Sequence, residues 1–236
     1  MTIDRPMTTG VPEAPPTSSG DRPDSGVSRA RVFIVGGGLA AGAATVAALL
    51  VWLPWGERNE FSYQGVAPIR DTAWLGILLD ALAMGVLAIT VSLATCLLTS
   101  GRGRRCADVG AVVTVLGGLA FAMGAFARGA VSWFATADQV GGAAGSRMLA
   151  LVQEEPTRLM LVAMAGFLLF TVGILVLAVA WWRCRAVPRW LPITLAVLTV
   201  GQFTGLEGRA LDVLQILVMA VLIVFAVVFV TRTRTR

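Results

Sequence analysis

Six long apolar stretches separated by polar connections constrain this chain more than any other feature of its sequence. Each is close to the ~20 residues that an α-helix needs to cross the hydrocarbon core of a bilayer. The stretches cover residues 32–55, 73–98, 107–127, 159–182, 190–206 and 210–230. Backbone polar groups inside lipid must bond within their own segment, which favours helices. The sequence therefore predicts an all-α polytopic membrane protein, a bundle of six transmembrane helices.

Composition supports this prediction and argues against a soluble globular domain. Hydrophobic residues make up 56% of the chain and charged residues 14%, and the mean hydropathy is +0.78. A soluble domain of this size cannot bury that much apolar surface. The net charge of +5 would suit nucleic acid, but the arginines occur in short clusters at the ends of the apolar stretches. We therefore predict contact with the lipid bilayer and no binding of nucleic acid.

The distribution of arginine predicts how the helices are oriented. Clustered arginines occur before the first stretch, in two alternate connections and at the end of the chain: Arg29, Arg31, Arg102, Arg104, Arg105, Arg183, Arg185, Arg189, Arg232, Arg234 and Arg236. In the remaining connections arginines are scattered among Asp and Glu. Because arginine-rich segments stay on the cytoplasmic side, both termini are predicted to be cytoplasmic.

Tryptophan and overall residue usage add two further expectations. Aromatic residues collect at membrane interfaces, which predicts an outer belt and an inner belt formed by Trp52, Trp55, Trp74 and Trp133 and by Trp181, Trp182 and Trp190, respectively. The chain contains no lysine and no histidine, whereas Ala, Gly, Val and Arg are abundant. This usage is typical of a high-GC bacterial genome, so the expected location is the bacterial plasma membrane.

Two segments are predicted to differ from the spans. Residues 1–28 are rich in Pro, Ser, Thr and Gly, with almost nothing apolar to bury, and are predicted to be a disordered cytoplasmic tail. Residues 29–236 then form the transmembrane domain. Its longest connection, 128–158, is predicted to be an outer loop. Within that loop, residues 146–153 have a weak amphipathic pattern that predicts a short helix on the membrane surface.

Residues 32–41 read Val-Phe-Ile-Val-Gly-Gly-Gly-Leu-Ala-Ala, which resembles the strand and glycine-rich turn of flavin-dependent oxidoreductases. The surroundings do not fit such a site, because residues 40–53 are apolar all round and no later strand-helix-strand units follow. We interpret this segment as a membrane span and predict no cofactor. Gly38 and Gly42 then provide a surface for close helix packing.

Small residues also recur on one face of the next two spans. The second span carries Ala81, Gly85, Ala88, Ser92, Thr95 and Thr99, and the third carries Gly110, Thr114, Gly117 and Gly124. Such stripes allow two helix backbones to approach closely. We expect the two spans to form a tight antiparallel hairpin. Small-residue faces are also the surfaces through which a membrane-protein partner or a second copy would bind.

Asp80 is the most deeply placed charged residue, about 12 Å into its span at 1.5 Å per residue. A charge at the centre of a bilayer costs at least ~2.5 kcal/mol. In a hairpin, Asp80 lies level with residue 125, so the side chain of Arg128 can reach it. The sequence leaves two interpretations open. Asp80 either forms an ion pair with Arg128 that fixes helix register, or it binds a proton or a cation.

A second polar group surrounds the connection between the last two spans. It consists of Gln202, Glu207, Arg209, Asp212 and Gln215. These side chains either form an outward-facing binding mouth together with Asp80 or are simply water-exposed helix ends. The chain has no histidine and no carboxylate pair at a characteristic spacing, so nothing indicates a metal site or general acid-base catalysis.

Residues 181–190, Trp-Trp-Arg-Cys-Arg-Ala-Val-Pro-Arg-Trp, resemble a loop before the penultimate helix of bacterial multi-pass membrane proteins of unknown function. Pro188 interrupts the helix, and arginine and tryptophan anchor both flanks at the headgroups. The resemblance implies topology and no activity. Our leading prediction is a non-enzymatic structural, subunit or regulatory membrane protein. The alternative is a transporter, of a small solute or coupled to protons, that uses Asp80.

Overall fold

The computed structural model describes residues 24–52, 62–154, 156–185 and 187–234. Helices and turns account for these residues, and none of them lies in a β-strand. The helices are α1 (Asp24–Trp52), α2 (Tyr63–Val66), α3 (Arg70–Leu98), α4 (Arg104–Ala135), α5 (Gly142–Glu154), α6 (Pro156–Cys184), α7 (Trp190–Gly201) and α8 (Arg209–Arg234). The predicted all-α fold is confirmed. The glycine-rich segment 32–41 lies within α1, as a span requires.

Among the residues that the structure describes, five helical stretches are long and apolar enough to cross a membrane. They are Arg29–Trp52, Tyr63–Leu98, Arg104–Ala135, Leu161–Cys184 and Arg209–Thr233. Large apolar side chains on these stretches face outward, including Ile34 at 72% exposed, Val51 at 73% and Met123 at 68%. Apolar surface of this extent is covered by lipid in a protein that folds stably. The chain is therefore an all-α polytopic membrane protein.

The fifth predicted span, 190–206, is shorter than the sequence suggested. Helix α7 has 12 residues and is therefore about 18 Å long, against a hydrocarbon thickness of ~30 Å. The chain leaves the helix after Gly201, and Gly205 and Gly208 then adopt positive φ angles of 77° and 61°. This left-handed conformation is incompatible with a continuing α-helix. The bundle thus contains five long helices and one short apolar helix.

These six helices form a closed ring. Along the ring, α1 packs against α3, α3 against α4, α4 against α6, α6 against α7 and α7 against α8, and α8 returns to α1. Gly36, in the first half of α1, lies beside Phe229 and Val230 near the end of α8. Gly103, just before α4, lies beside Ala180 and Cys184 of α6. We call this end of the bundle, where α3 meets α4 and α6 meets α7, the arginine-rich end.

Trp181 fills the centre of the ring near the arginine-rich end. It is fully buried and stacks on Phe225 with ring centroids 3.9 Å apart. Its indole Nε1 donates a hydrogen bond to Thr95 Oγ1 at 2.9 Å. Assigning Trp181 to the inner aromatic belt was therefore wrong, because its polar atom has a partner inside the protein. Trp182 and Trp190, 47% and 52% exposed, remain on the outer surface.

Aromatic and charged residues at the opposite end tie the start of α3 to the end of α4. Arg70 Nε donates to the carbonyl oxygen of Trp133 at 3.1 Å, and its guanidinium carbon lies 4.1 Å from the Trp133 ring centroid. Trp133 Nε1 in turn donates to Asp71 Oδ1 at 3.4 Å. Trp74 packs beside Trp133 with centroids 6.3 Å apart. These contacts hold α3 and α4 in antiparallel register.

The glycine faces pack within the chain, though not always on the expected neighbour. A Cβ at Gly42 would lie 3.2 Å from the Ala83 carbonyl oxygen of α3, so the predicted close packing of α1 is confirmed. The α3 stripe faces α4, as expected, and Ser92 Oγ lies 3.3 Å from the Ala111 carbonyl oxygen. The α4 stripe instead faces α6: a Cβ at Gly117 would meet the Phe170 backbone, and one at Gly124 would lie 2.6 Å from Ala163 Cβ.

This packing occupies the small-residue faces that were expected to bind a protein partner or a second copy. Spacing alone cannot tell which of two neighbours a small-residue stripe contacts, and here each stripe is buried against another helix of the same chain. A protein partner or a second copy stays a prediction, but it would have to use a different surface.

The predicted outer loop 128–158 is largely helical. Helix α4 continues to Ala135, and α5 covers the predicted surface helix with additional residues at both ends. The apolar pattern ends near residue 127, but a helix continues beyond the hydrocarbon where its polar side chains reach headgroups and water. Of the predicted tail 1–28, residues 24–28 begin α1. The rest of that tail, like Trp55, lies outside the described residues.

Candidate functional site

A cavity of about 80 Å³ lies inside the ring of helices. Its polar lining comes from four elements: Asp80 of α3, Thr171 of α6, Thr199 and Gln202 at the end of α7, and Gln215 of α8. Three phenylalanines, Phe121, Phe167 and Phe170, contribute much of its apolar wall. The cavity therefore gathers polar groups from distant parts of the sequence within an otherwise apolar bundle.

Asp80 supplies the only carboxylate among the described residues that line this cavity. It lies ten residues after Arg70, which begins α3, and so about 15 Å along the helix. Met84, one helical turn further on, lines the same cavity. Within the described part of the chain, no hydrogen bond or ion pair joins Asp80 to another side chain. The carboxylate thus opens into the cavity.

The predicted pair between Asp80 and Arg128 is not formed, because the two side chains lie on different faces of their helices. The ion pair seen among the described residues joins Arg104 and Asp108, at 3.0 Å. The predicted hairpin register is nevertheless correct: a Cβ at Gly129 would lie 2.7 Å from Ile77. Helix α3 directs Ile77 toward α4, whereas Asp80 belongs to the adjacent face that borders the cavity. Arg128 is not part of the cavity lining.

The second predicted polar group divides in two. Gln202 and Gln215 meet at the cavity, because α7 and α8 run side by side and a Cβ at Gly201 would lie 3.4 Å from Leu214. Glu207 and Arg209 are exposed at the connection between these helices. Asp212 is 5% exposed in the first turn of α8 and does not line the cavity. Asp80, Gln202 and Gln215 are thus brought together, and Glu207, Arg209, Asp212 and Arg128 are not.

Two hydroxyl groups at the cavity were missed by sequence reasoning. Thr199 is 4% exposed, and its Oγ1 has no hydrogen-bond partner among the described residues. Thr171 Oγ1 donates to the Phe167 carbonyl oxygen at 2.8 Å, which leaves its lone pairs available as acceptors. The sequence does contain a signal for Thr199, because it lies three residues before Gln202 and hence on the same helix face as that predicted site residue. A buried hydroxyl without a partner costs about 1–3 kcal/mol, so it favours a bound water or ligand.

The donor set fits a small cation better than an anion or a transition metal. The charged group in the described lining is the Asp80 carboxylate, and the two amides and two hydroxyls also carry acceptor oxygens. A negative charge with further oxygen acceptors suits hard monovalent ions or a protonated amine. Aromatic faces also attract cations when they lie within about 6 Å. No group of three or more Cys, Asp or Glu that could hold a metal ion occurs in the described part of the chain. The cavity has room for several water molecules.

Comparisons with known proteins do not connect this arrangement to a family. No family model matches the chain, and no curated protein or solved structure matches it. The resemblance of residues 181–190 to a bacterial membrane-protein loop stays a prediction.

Proposed function

We propose that this protein is a non-enzymatic integral membrane protein that binds a small monovalent cation, or a proton, at Asp80. The observation that carries the proposal is the position of this carboxylate. It opens into a cavity that is also lined by Gln202, Gln215 and Thr199, whose buried hydroxyl has no hydrogen-bond partner among the described residues. Asp80 is partly buried among apolar helices, and a charge in such surroundings is expensive unless something compensates it. A bound cation supplies that compensation.

A carrier function follows most directly from such a site. Ionisable residues within membrane spans commonly mark ion pathways and proton relays. The cavity is formed by the faces of different helices, so relative movement of the helices would change access to it. We propose that cation binding at Asp80 is coupled to the passage of that ion or of a second small solute. The predicted role as a structural, subunit or regulatory protein is the alternative.

We infer that the protein resides in the bacterial plasma membrane with both termini cytoplasmic. The support is the clustering of Arg104, Arg105, Arg183, Arg185 and Arg189 at one end of the bundle. Loops that carry clustered arginine are retained on the cytoplasmic side during insertion.

Ligand binding can be tested by thermal unfolding of the purified protein in a neutral detergent. Sodium, potassium and ammonium chloride are compared with choline chloride at equal ionic strength. At least one small cation should raise the melting temperature of the wild type, because a ligand bound only by the native state stabilises it. The shift should vanish in Asp80→Asn and weaken in Gln215→Leu. Asp138→Asn, an exposed carboxylate outside the cavity, serves as the matched control and should keep it.

Transport is tested with the same variants in liposomes that contain a pH-sensitive dye. A gradient of the stabilising cation should move protons or the cation in wild-type vesicles and not in Asp80→Asn vesicles. If no cation stabilises the protein and vesicles of both proteins behave alike, the cation site is refuted. The structural or regulatory alternative would then be preferred.

A further inference from the structure

A basic hollow of about 630 Å³ lies at the arginine-rich end. It is lined by Gly101 and Arg105 near the α3–α4 connection, by Trp182, Arg183 and Arg185 at the end of α6, and by Arg189 just before α7. Among the described residues, four arginines from three separate segments thus line one concave surface. This surface is distinct from the Asp80 cavity, because none of the described residues lines both.

The positive charge of the hollow is not balanced by protein acids in the described part of the chain. The ion pair seen there joins Arg104 to Asp108, and neither residue lines the hollow. The polar contacts of the lining are with neutral groups: an Arg183 guanidinium nitrogen donates to Cys106 Sγ at 3.5 Å, and the Arg189 guanidinium carbon lies 5.8 Å from the Trp182 ring centroid. Converging like charges repel one another, so the arrangement favours a bound anion.

The surroundings of the hollow distinguish a lipid from a soluble anion. Trp182 is 47% exposed at its edge, and Leu97, Val179 and Ile193 present outward-facing apolar side chains on the adjoining helices. Arginine forks match phosphate oxygens, and tryptophan prefers the headgroup layer. Arg185 directly follows α6 and adopts a left-handed backbone conformation with a φ of 51°. Glycine is the more usual residue at such a helix end. A phosphate at the hollow and acyl chains along these helices would satisfy both parts of the surface.

We propose that this hollow binds the phosphate headgroup of an anionic phospholipid, with phosphatidylglycerol as the simplest ligand. Basic pockets between transmembrane helices recognise anionic headgroups in this way. The proposal does not depend on the function of Asp80, and a failure of the cation experiment would leave it unchanged.

The test is a lipid titration of the full-length protein in neutral detergent, followed by native mass spectrometry. Wild type should bind phosphatidylglycerol in preference to phosphatidylcholine. Arg185→Gln with Arg189→Gln should weaken the phosphatidylglycerol Kd by roughly 25-fold, taking about fivefold per arginine near a membrane surface. The matched control is Arg29→Gln with Arg31→Gln, which removes the same charge from exposed positions in α1. The control should leave the Kd within about threefold of wild type.

A second measurement does not require the double variant to fold. Brominated phosphatidylglycerol should quench a larger fraction of the tryptophan emission in the wild type than in the Trp182→Phe variant. Brominated phosphatidylcholine should quench the same fraction in both proteins. Equal losses of affinity in both double variants would mean diffuse surface charge and would overturn the proposal. Displacement of the lipid by an equal concentration of inorganic phosphate would also overturn it, because the site would then bind soluble anions.

Discussion

Trp181 and Asp80 both lie inside the bundle, but only Trp181 has a hydrogen-bond partner for its polar group among the described residues. Trp181 is fully buried, and its single donor is bonded to Thr95. Asp80 faces a cavity, together with a threonine hydroxyl that has no partner in the described part of the chain. The first arrangement is complete without a ligand and therefore stabilises the fold. The second is incomplete, because the Asp80 carboxylate has no ion-pair partner in the described part of the chain, and a bound cation would complete it.

The geometry predicts that Asp80 and Arg128 are energetically independent. In a double-mutant cycle of thermal unfolding, Asp80→Asn and Arg128→Gln should be additive within about 0.5 kcal/mol, because no ion pair joins them. A buried pair broken by either single substitution would instead lose on the order of 3 kcal/mol and show strong coupling. Coupling of that size would restore the structural interpretation of Asp80.

Trp181 is expected to contribute far more to stability than its neighbour Trp182. Trp181→Phe removes the hydrogen bond to Thr95 and part of the stacking on Phe225, for an expected loss of about 1–3 kcal/mol. Trp182→Phe, at an exposed site, should change the free energy of unfolding by less than about 0.5 kcal/mol. Chemical denaturation in detergent measures both, and equal effects would contradict the assignment of Trp181 to the core.

Glycines determine how closely the helices approach one another. Between α4 and α6, Gly117 and Gly124 of one helix face backbone or alanine of the other, while Gly166 and Gly173 of α6 face Phe121 and Thr114. Reciprocal glycines on both partners allow dispersion and weak Cα–H contacts along the whole interface. Because lipid provides no hydrophobic force between spans, this shape match contributes directly to stability.

A glycine substitution should therefore depend strongly on which face it occupies. Gly117→Ala would place a methyl group against the Phe170 backbone and force α4 and α6 apart, with an expected loss of about 1–3 kcal/mol. Gly37→Ala has open space within 4 Å and a helical backbone, so it should be neutral or stabilising by about 0.4–1 kcal/mol. Thermal unfolding of the two purified variants makes the comparison, and similar melting temperatures would contradict the packing.

At the scale of the whole molecule, the two ends of the bundle differ in chemistry. One end carries clustered arginines and the basic hollow, whereas the other has mixed charges beside Trp74 and Trp133. This asymmetry predicts a single orientation in the membrane.

Cysteine labelling of intact cells tests the orientation. In a background without the three native cysteines, Ser62→Cys and Gly142→Cys should react with a membrane-impermeant maleimide from outside. Ser100→Cys should react only after the cells are opened. All three positions are exposed, so burial does not confuse the result. The reverse pattern would invert the topology and, with it, the leaflet in which the basic hollow meets lipid.

Sequence reasoning recovered the helices and the hairpin register well, because length and hydropathy report directly on spanning segments. It failed where the answer depends on rotation about a helix axis. Spacing places Asp80 level with residue 125 but does not show which face of α3 it occupies. It therefore leaves open both an ion pair with Arg128, which is not formed, and a site for a proton or a cation. The α4 stripe was recognised but assigned to the wrong neighbour. Thr199 and Trp181 could not be assigned from sequence for the same reason. Only the packed helices show that Trp181 has a hydrogen-bond partner and that Thr199 has none among the described residues.

The short length of α7 also shapes the bilayer around the protein. A 12-residue helix cannot match the full hydrocarbon thickness, so the lipids beside it must thin or tilt to meet it. The insulating layer is therefore narrowest along that side of the bundle. A transmembrane voltage falls more steeply across a thinner insulator, and Gln202, which caps α7, lies where the layer narrows. An ion held beside Gln202 and Asp80 would therefore experience a steeper electric field than the same ion behind a full-length helix.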